Sequence, residues 1–220
     1  MPTITASTND GSLGSALEAN WDDAHDHVGS GVPAKDQASN AFNGVRYEKV
    51  SKGGVKYFLS RSFFDFDTSG ISVAPSAATF KLKILTNNSC TPCIIAKSGH
   101  EPDAEEEDWF STWITDQSVT LSGWGSGDIT AYSSSTAIGS TGAFTDFTLN
   151  SDALSDMASL SIFKICILHN NDYNDIAPSS GSLRTGVYYA NDSTSGNRPY
   201  LDYTAGTTVT HNATFFGTNF

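Results

Sequence analysis

Val55-Lys-Tyr-Phe-Leu-Ser-Arg-Ser-Phe-Phe-Asp-Phe66 is the stretch that decides the fold class. Phe58, Phe64 and Phe66 share one parity, and Tyr57, Leu59 and Phe63 share the other. Successive side chains of a strand point to opposite faces, so apolar residues on both parities predict a central strand rather than an edge. Asp67-Thr-Ser-Gly70 follows with turn chemistry. Phe80-Lys-Leu-Lys-Ile84 then alternates cleanly, which points Phe80, Leu82 and Ile84 inward and Lys81 and Lys83 outward.

Further strands are predicted at Ile4 to Ser7, from Val45 onward, at Val119-Thr-Leu121, Ala131-Tyr132, Phe144 to Leu149, Ile162 to His169, Gly186 to Ala190 and Pro199 to Tyr203. Residues 8–20 read as a Gly/Ser/Asn loop, and Trp21 to Ala41 as a long polar connection of the kind that tends to be functional or mobile. Asp152 to Ala158 suits one helical turn. Glu101 to Ile114 can start at Pro102 and Asp103, carry Glu105 to Asp108 in its first turn and place Trp109 and Trp113 on one helical face. That segment reads equally as a solvated acidic loop pinned by its two tryptophans. Crossover helices and internal repeats are missing, so a parallel α/β sheet, a propeller and a solenoid are disfavoured. The expectation is one all-β domain, a two-sheet antiparallel sandwich with short helical turns in its loops.

At 220 residues the chain can bury roughly 70% of its unfolded surface without metal or disulfide support. Lys and Arg number 12 against 24 Asp and Glu, a net charge of −12, so a basic stripe for nucleic acid is lacking. The longest apolar runs, such as Ile165-Cys-Ile-Leu168, are too short to span a bilayer, and neither nucleic acid nor membrane is an expected partner. The opening Met1-Pro-Thr-Ile-Thr lacks the basic and apolar regions of a secretory signal, which predicts synthesis in a cytoplasm. Cys90 and Cys93 form a lone C-x-x-C outside any βαβ pattern, read as a plain loop or a local disulfide. Cys166 lies in a strand pattern and is expected to be buried.

Two segments carry a recognisable pattern. Phe58-Leu-Ser-Arg-Ser-Phe-Phe-Asp-Phe-Asp-Thr-Ser-Gly-Ile71 is followed by Ala77-Ala-Thr-Phe-Lys-Leu-Lys-Ile84. Much later comes Val187-Tyr-Tyr-Ala-Asn-Asp-Ser-Thr-Ser-Gly-Asn-Arg-Pro-Tyr-Leu-Asp-Tyr203, with Phe144 to Asn150 and Ile162 to Ile167 as middle strands between them. Together they resemble the DNRLRE-type, carbohydrate-binding-module-like β-sandwiches. The resemblance implies a jelly-roll fold over residues 1–205 and a glycan-binding or structural role without a reaction. It also implies the setting of stand-alone bacteriophage proteins. A virion protein made in the host cytoplasm would serve as head decoration, fiber or tail-associated protein. Its partners would be capsid or tail proteins, and it would be a homo-oligomer, with a trimer suggested by analogy. The alternative expectation is a stand-alone carbohydrate-binding module or polysaccharide-associated protein. Residues 206–220 extend past the motif, and Phe215, Phe216 and Phe220 there suit either docking and assembly contacts or a last strand packed on its own domain.

Candidate sites come from residue chemistry. Trp109, Trp113, Trp124 and Tyr132 lie in the loop-rich middle of the chain and could stack on sugar rings, though each suits a core equally. Asp22, Asp23, His25, Asp26 and His27 form one ligand-rich run. Asn170-Asn-Asp-Tyr-Asn-Asp175, with Asp172 and Asp175, forms another. Their hard oxygens would suit calcium, and ordinary loop and turn chemistry explains them as well. No other cofactor is implied. G-x-S-x-G, H-E-x-x-H and P-loop motifs are lacking, and no carboxylate pair is marked out, so the expectation is a non-enzyme.

Overall fold

The structure is a computed structural model that describes residues 1–26, 32–35, 38–51, 53–100 and 123–207, with the backbone alone for 32–35 and Asn43. The chain is all-β. Its strands are β1 (Thr3–Thr5), β2 (Gly11–Gly14), β3 (Val32–Lys35), β4 (Ser39–Ser51), β5 (Val55–Asp67), β6 (Ala77–Asn88), β7 (Cys93–Lys97), β8 (Phe144–Thr148), β9 (Ile162–His169), β10 (Gly181–Tyr188) and β11 (Tyr200–Thr204). Among the described residues, three short α-helices and one 3-10 turn (Ser195–Asn197) interrupt them: α1 (Trp21–His25), α2 (Ser151–Ser159) and α3 (Asn170–Tyr173). Every ladder between these strands is antiparallel.

Two long strands organise the rest. Ser60 of β5 pairs with Arg46 of β4 and Gly14 of β2, and Ser62 pairs with Ser12 of β2 and Ile167 of β9. One edge of β5 therefore carries β2, with β3 beyond it, while the other carries β4 first and β9 further along. Thr79 of β6 pairs with Asp202 of β11 and Thr148 of β8, and Ile84 pairs with Val187 of β10. β10 joins β4, so β6 and β5 belong to one continuous network. On the far side, β9 pairs with β7, bridges run from Cys93 to Thr136 and from Ala96 to Ala131, and Ser133 bridges to Leu149. The pairings thus close a circuit around the core. Phe64 and Phe66 of β5 meet Phe80 of β6 across it, at centroid distances of 5.3 and 5.9 Å.

The sequence pattern explains most of these elements. Both parities of β5 are buried from Phe58 to Phe66, as a central strand requires. Ile4, Leu201, Phe80 and Phe147 stand opposite one another on β1, β11, β6 and β8 and form one row toward the core. Leu201, Phe80 and Phe147 are fully buried, each such side chain contributing about 1.5–3 kcal/mol. The Asn150 side chain caps α2 by accepting from the amides of Asp152 and Ala153, both at 3.1 Å, and Ala153 and Met157 bury its inner face.

Several expectations need correction. Residues 11–14 form strand β2 rather than loop. Gly14 fits because a Cβ there would stand 2.8 Å from the Phe58 ring. The connection from Trp21 contains α1 and β3, since Trp21, Ala24 and His25 fall on one helical side. α2 extends beyond the single turn expected. β10 begins at Gly181, because the register shift at Gly186 hides its periodicity. The Asn170 run opens with helix α3, whose first turn is capped by His169 Nδ1 accepting from the Asn171 amide at 3.2 Å. Cys90 and Cys93 are free, buried thiols, and Cys93 opens a strand. The predicted helix at Glu101 to Ile114 and strand at Val119 to Leu121 lie outside the described residues, as does the tail from residue 208.

Asp10 shows how the first segment is fastened. Its Oδ2 accepts the Ala190 amide at 2.7 Å, and its Oδ1 is buried without a partner. Burial, aided by the nearby charge of Asp65, pushes its pKa up to about 8, against the Ala190 hydrogen bond. The folded state then keeps a proton that the unfolded chain releases near pH 4, so this contribution to stability is full below pH 4 and is lost as pH rises through 8. In D10N that loss should vanish. Wild-type stability relative to D10N should fall by a few kcal/mol between about pH 4 and pH 8 and stay level above it, as read from urea unfolding across that range.

Candidate functional site

The structure brings two of the sequence-predicted clusters together, inside the molecule. Arg61 of β5 is fully buried, and its Nε and Nη2 donate to Asp172 Oδ2 and Oδ1 at 2.8 and 2.7 Å. Nη2 also reaches the His25 carbonyl at 3.3 Å. His25 Nε2 lies 3.0 Å from the Asp172 carbonyl, and Nδ1 lies 2.7 Å from Asp26 Oδ1. Trp124 stacks on the His25 ring at 4.1 Å and receives the Arg61 guanidinium at 4.9 Å on its ring. Trp21 packs on His25 at 5.1 Å, and its indole N–H donates to Asp175 Oδ1 at 2.7 Å.

This geometry gives several of the candidate ligands other partners. His25, Asp172 and Asp175 converge, but a guanidinium holds both oxygens of Asp172. Asp22 and Asp23 are exposed, and Asp23 accepts from Asn20. Among the described residues no group of three His, Cys, Asp or Glu side chains is placed to hold a metal ion. His27 lies outside the described residues. Trp124 and Tyr132 are corrected from sugar platforms to core residues: they are 1% and 0% exposed, and Tyr132 stacks on Phe163 at 5.2 Å. Trp109, Trp113, Phe215, Phe216 and Phe220 lie outside the described residues.

Acid–base and thiol candidates are similarly occupied. Burial pushes the Cys90 and Cys166 thiols up, away from reactive thiolate. Burial, with Lys164 nearby, pushes His100 down to about 3, and burial lowers His169, which stacks on Tyr47 at 4.2 Å. A cavity of about 290 Å³ is lined by Gly70, Ile71, Ser72, Val73, Tyr203, Ala205 and Gly206, with Tyr203 its only titratable side chain among the described residues.

An exposed sheet face offers different chemistry. Directly opposed residues on neighbouring strands share a face. Thr5, Tyr200, Lys81 and Asp146 form one outward row on β1, β11, β6 and β8, and Thr3, Asp202, Thr79 and Thr148 form the next. Lys83 stands opposite Phe144 on the same side. Phe144 and Tyr200, both partly exposed, meet edge to face at 5.6 Å across β6. Lys83 Nζ lies 5.7 Å from the Phe144 ring and 6.0 Å from the Tyr188 ring, and donates to Asn197 Oδ1 at 2.7 Å. Lys81 pairs with Asp146, a hydrogen bond that raises its pKa above the ordinary lysine value. The face combines apolar rings with fixed donors and acceptors. The outward direction of Lys81 and Lys83 is legible from alternation, whereas Phe144 and Tyr200 join them only through register.

Compared with family models and with curated proteins, the chain matches none.

The buried ion pair makes a stability prediction. Removing one partner strands the other charge without water, so D172A should lower unfolding free energy by about 3–5 kcal/mol. The double change R61M/D172A should be less destabilised than D172A alone, because no buried charge remains. Chemical denaturation of the three proteins reads both differences.

Proposed function

We propose that this chain is a jelly-roll β-sandwich module without catalytic function, and that it binds glycan on the outer face of β1, β11, β6 and β8. The edge-to-face pair of Phe144 and Tyr200 beside Lys83 carries the reading. Sugar rings present apolar C–H faces and polar rims, and this face presents partly exposed rings beside Lys81, Lys83, Asp146 and Asn197 as hydrogen-bonding groups. Strands hold all of these groups but Asn197, which is fixed in a short turn by its bonds to Lys83 and Asp192, so little ordering is left to be done on binding.

The ordered likeness to DNRLRE-type sandwiches supports a structural place for the module on a bacteriophage particle, as head decoration, fiber or tail-associated protein. The expected partners are other capsid or tail proteins. A stand-alone carbohydrate-binding module would use the same face, and particle incorporation separates the two. Electrophoresis of density-banded particles should show a 23.4 kDa chain. Its absence from the particle would leave the module reading and remove the virion one.

Glycan-array screening followed by calorimetry tests the face itself. F144A and Y200A should each weaken binding of the selected glycan by about tenfold, which corresponds to about 1.4 kcal/mol. Both rings are partly exposed, so the variants should keep the wild-type far-UV spectrum. A wild-type chain that retains no glycan, or two variants that bind unchanged, would overturn the assignment.

A further inference from the structure

Charge is divided between the two faces of one sheet. In β4, Arg46 and Glu48 point to one side and Tyr47, between them, to the other. On the first side Arg46 stands opposite Arg184 of β10, and its guanidinium lies 4.1 Å from the Phe58 ring. Arg184 lies 4.8 Å from the ring of Phe42, which is 56% exposed. Lys56, two residues before Phe58, shares this side. Among the described residues, three cations against Glu48, which is buried and ion-paired to Arg46, leave a net charge of +2 on a side that also presents the exposed Phe42 ring.

The opposite side carries Lys49, 5.6 Å from the Tyr57 ring, and beyond it a larger group of carboxylates. Tyr47 packs edge-on against Trp21 of α1 at 5.9 Å. Around Trp21 lie the carboxylates of Asp22, Asp23, Asp26, Asp128 and Asp175. Among the described residues none of the five is ion-paired to Lys or Arg. Asp26 and Asp128 accept the amides of Gly123 and Gly125, at 2.6 and 2.9 Å, which holds them in place. The molecule therefore carries a cationic, aromatic face and a fixed acidic cap on opposite sides of β4.

We propose that copies of this chain associate head to tail, with the Arg46, Arg184 and Phe42 face of one copy seated on the acidic cap around Trp21 of the next. Charge complementarity selects a second copy as the occupant. A net charge of −12 keeps copies apart in other orientations, and this one places opposite charges together. The two surfaces differ, so the contact is heterologous and builds a ring or a filament rather than a closed two-fold dimer. The inference does not depend on the glycan face, which lies on other strands.

Charge-swap variants test it by sedimentation velocity up to about 1 mM, the range of weak specific contacts. The wild-type chain should show concentration-dependent association. R184E, which alters the cationic face, and D22K/D23K, which alters the cap, should each weaken it by about tenfold or more. An equimolar mixture of the two variants should recover a heterodimer, because the unaltered cap of R184E then meets the unaltered Arg46, Arg184 and Phe42 face of D22K/D23K. A monomeric wild type, equal association of all forms, or no recovery in the mixture would overturn the proposal. If the monomeric wild type instead captured an acidic peptide that R184E did not, the face would belong to a different partner and self-association would fall.

Discussion

The bidentate pair between Arg61 and Asp172 constrains more of this molecule than any single apolar contact. Taking a guanidinium and a carboxylate out of water costs several kcal/mol each, and mutual attraction offsets this only when geometry is good and remaining donors find acceptors. Here both carboxylate oxygens accept from Arg61, and the His25 carbonyl takes a further Nη2 contact. Three distant parts of the sequence are fixed at one point as a result: α1, the middle of β5 and α3. With α1, α3 and Trp124 held over it, the second face of β5 is closed to solvent, and a strand of a sandwich-like molecule acquires a core on each side.

That second core explains both what could be read from the sequence and what could not. Apolar residues on both parities of Val55 to Phe66 announced a strand covered twice, and the structure covers it twice. Phe80 to Ile84 obeys period two because each face meets one uniform environment, whereas Ile165 to His169 is buried on both faces and reads as a continuous apolar run. β2 gave no such signal: Gly-Ser-Leu-Gly is buried at every position, and Gly14 lies close against Phe58, a contact between residues 44 apart. Five-residue α1 and four-residue α3 are too short to show a helical period, and both are held by tertiary contacts instead of propensity.

The candidate ligands were legible as chemistry but not as roles. The Asp22 to His27 run and the Asn170 to Asp175 run each looked like a separate oxygen-rich loop. The structure draws His25, Asp172 and Asp175 together, and Arg61, 111 residues from Asp172, turns the cluster into an ion-paired core. Composition cannot supply that third party. Trp124 and Tyr132 illustrate the same limit, since an aromatic residue in a Ser/Gly-rich stretch looks solvent-facing until its ring partners are known. The Phe144–Tyr200 face was hidden for the converse reason. Its members come from three strands and meet only through the register that also aligns Ile4, Leu201, Phe80 and Phe147 toward the core.

Register thus couples stability to surface chemistry. In an antiparallel ladder a one-residue slip sends every side chain to the other face. A slip of β11 against β6 would expose Leu201 and bury Tyr200 and Asp202 together, so the apolar row fixes the outward row with the same pairing. The same reasoning holds for β4, where Val45 and Tyr47 keep the α1 side only if Arg46 and Glu48 keep the other, Glu48 being buried there against Arg46 and Ser182. Both outer faces are therefore set by the packing of the core behind them. Rings and charges held in this way are preorganised, and a ligand or a second copy that matches them meets a surface whose ordering cost was met when the chain folded.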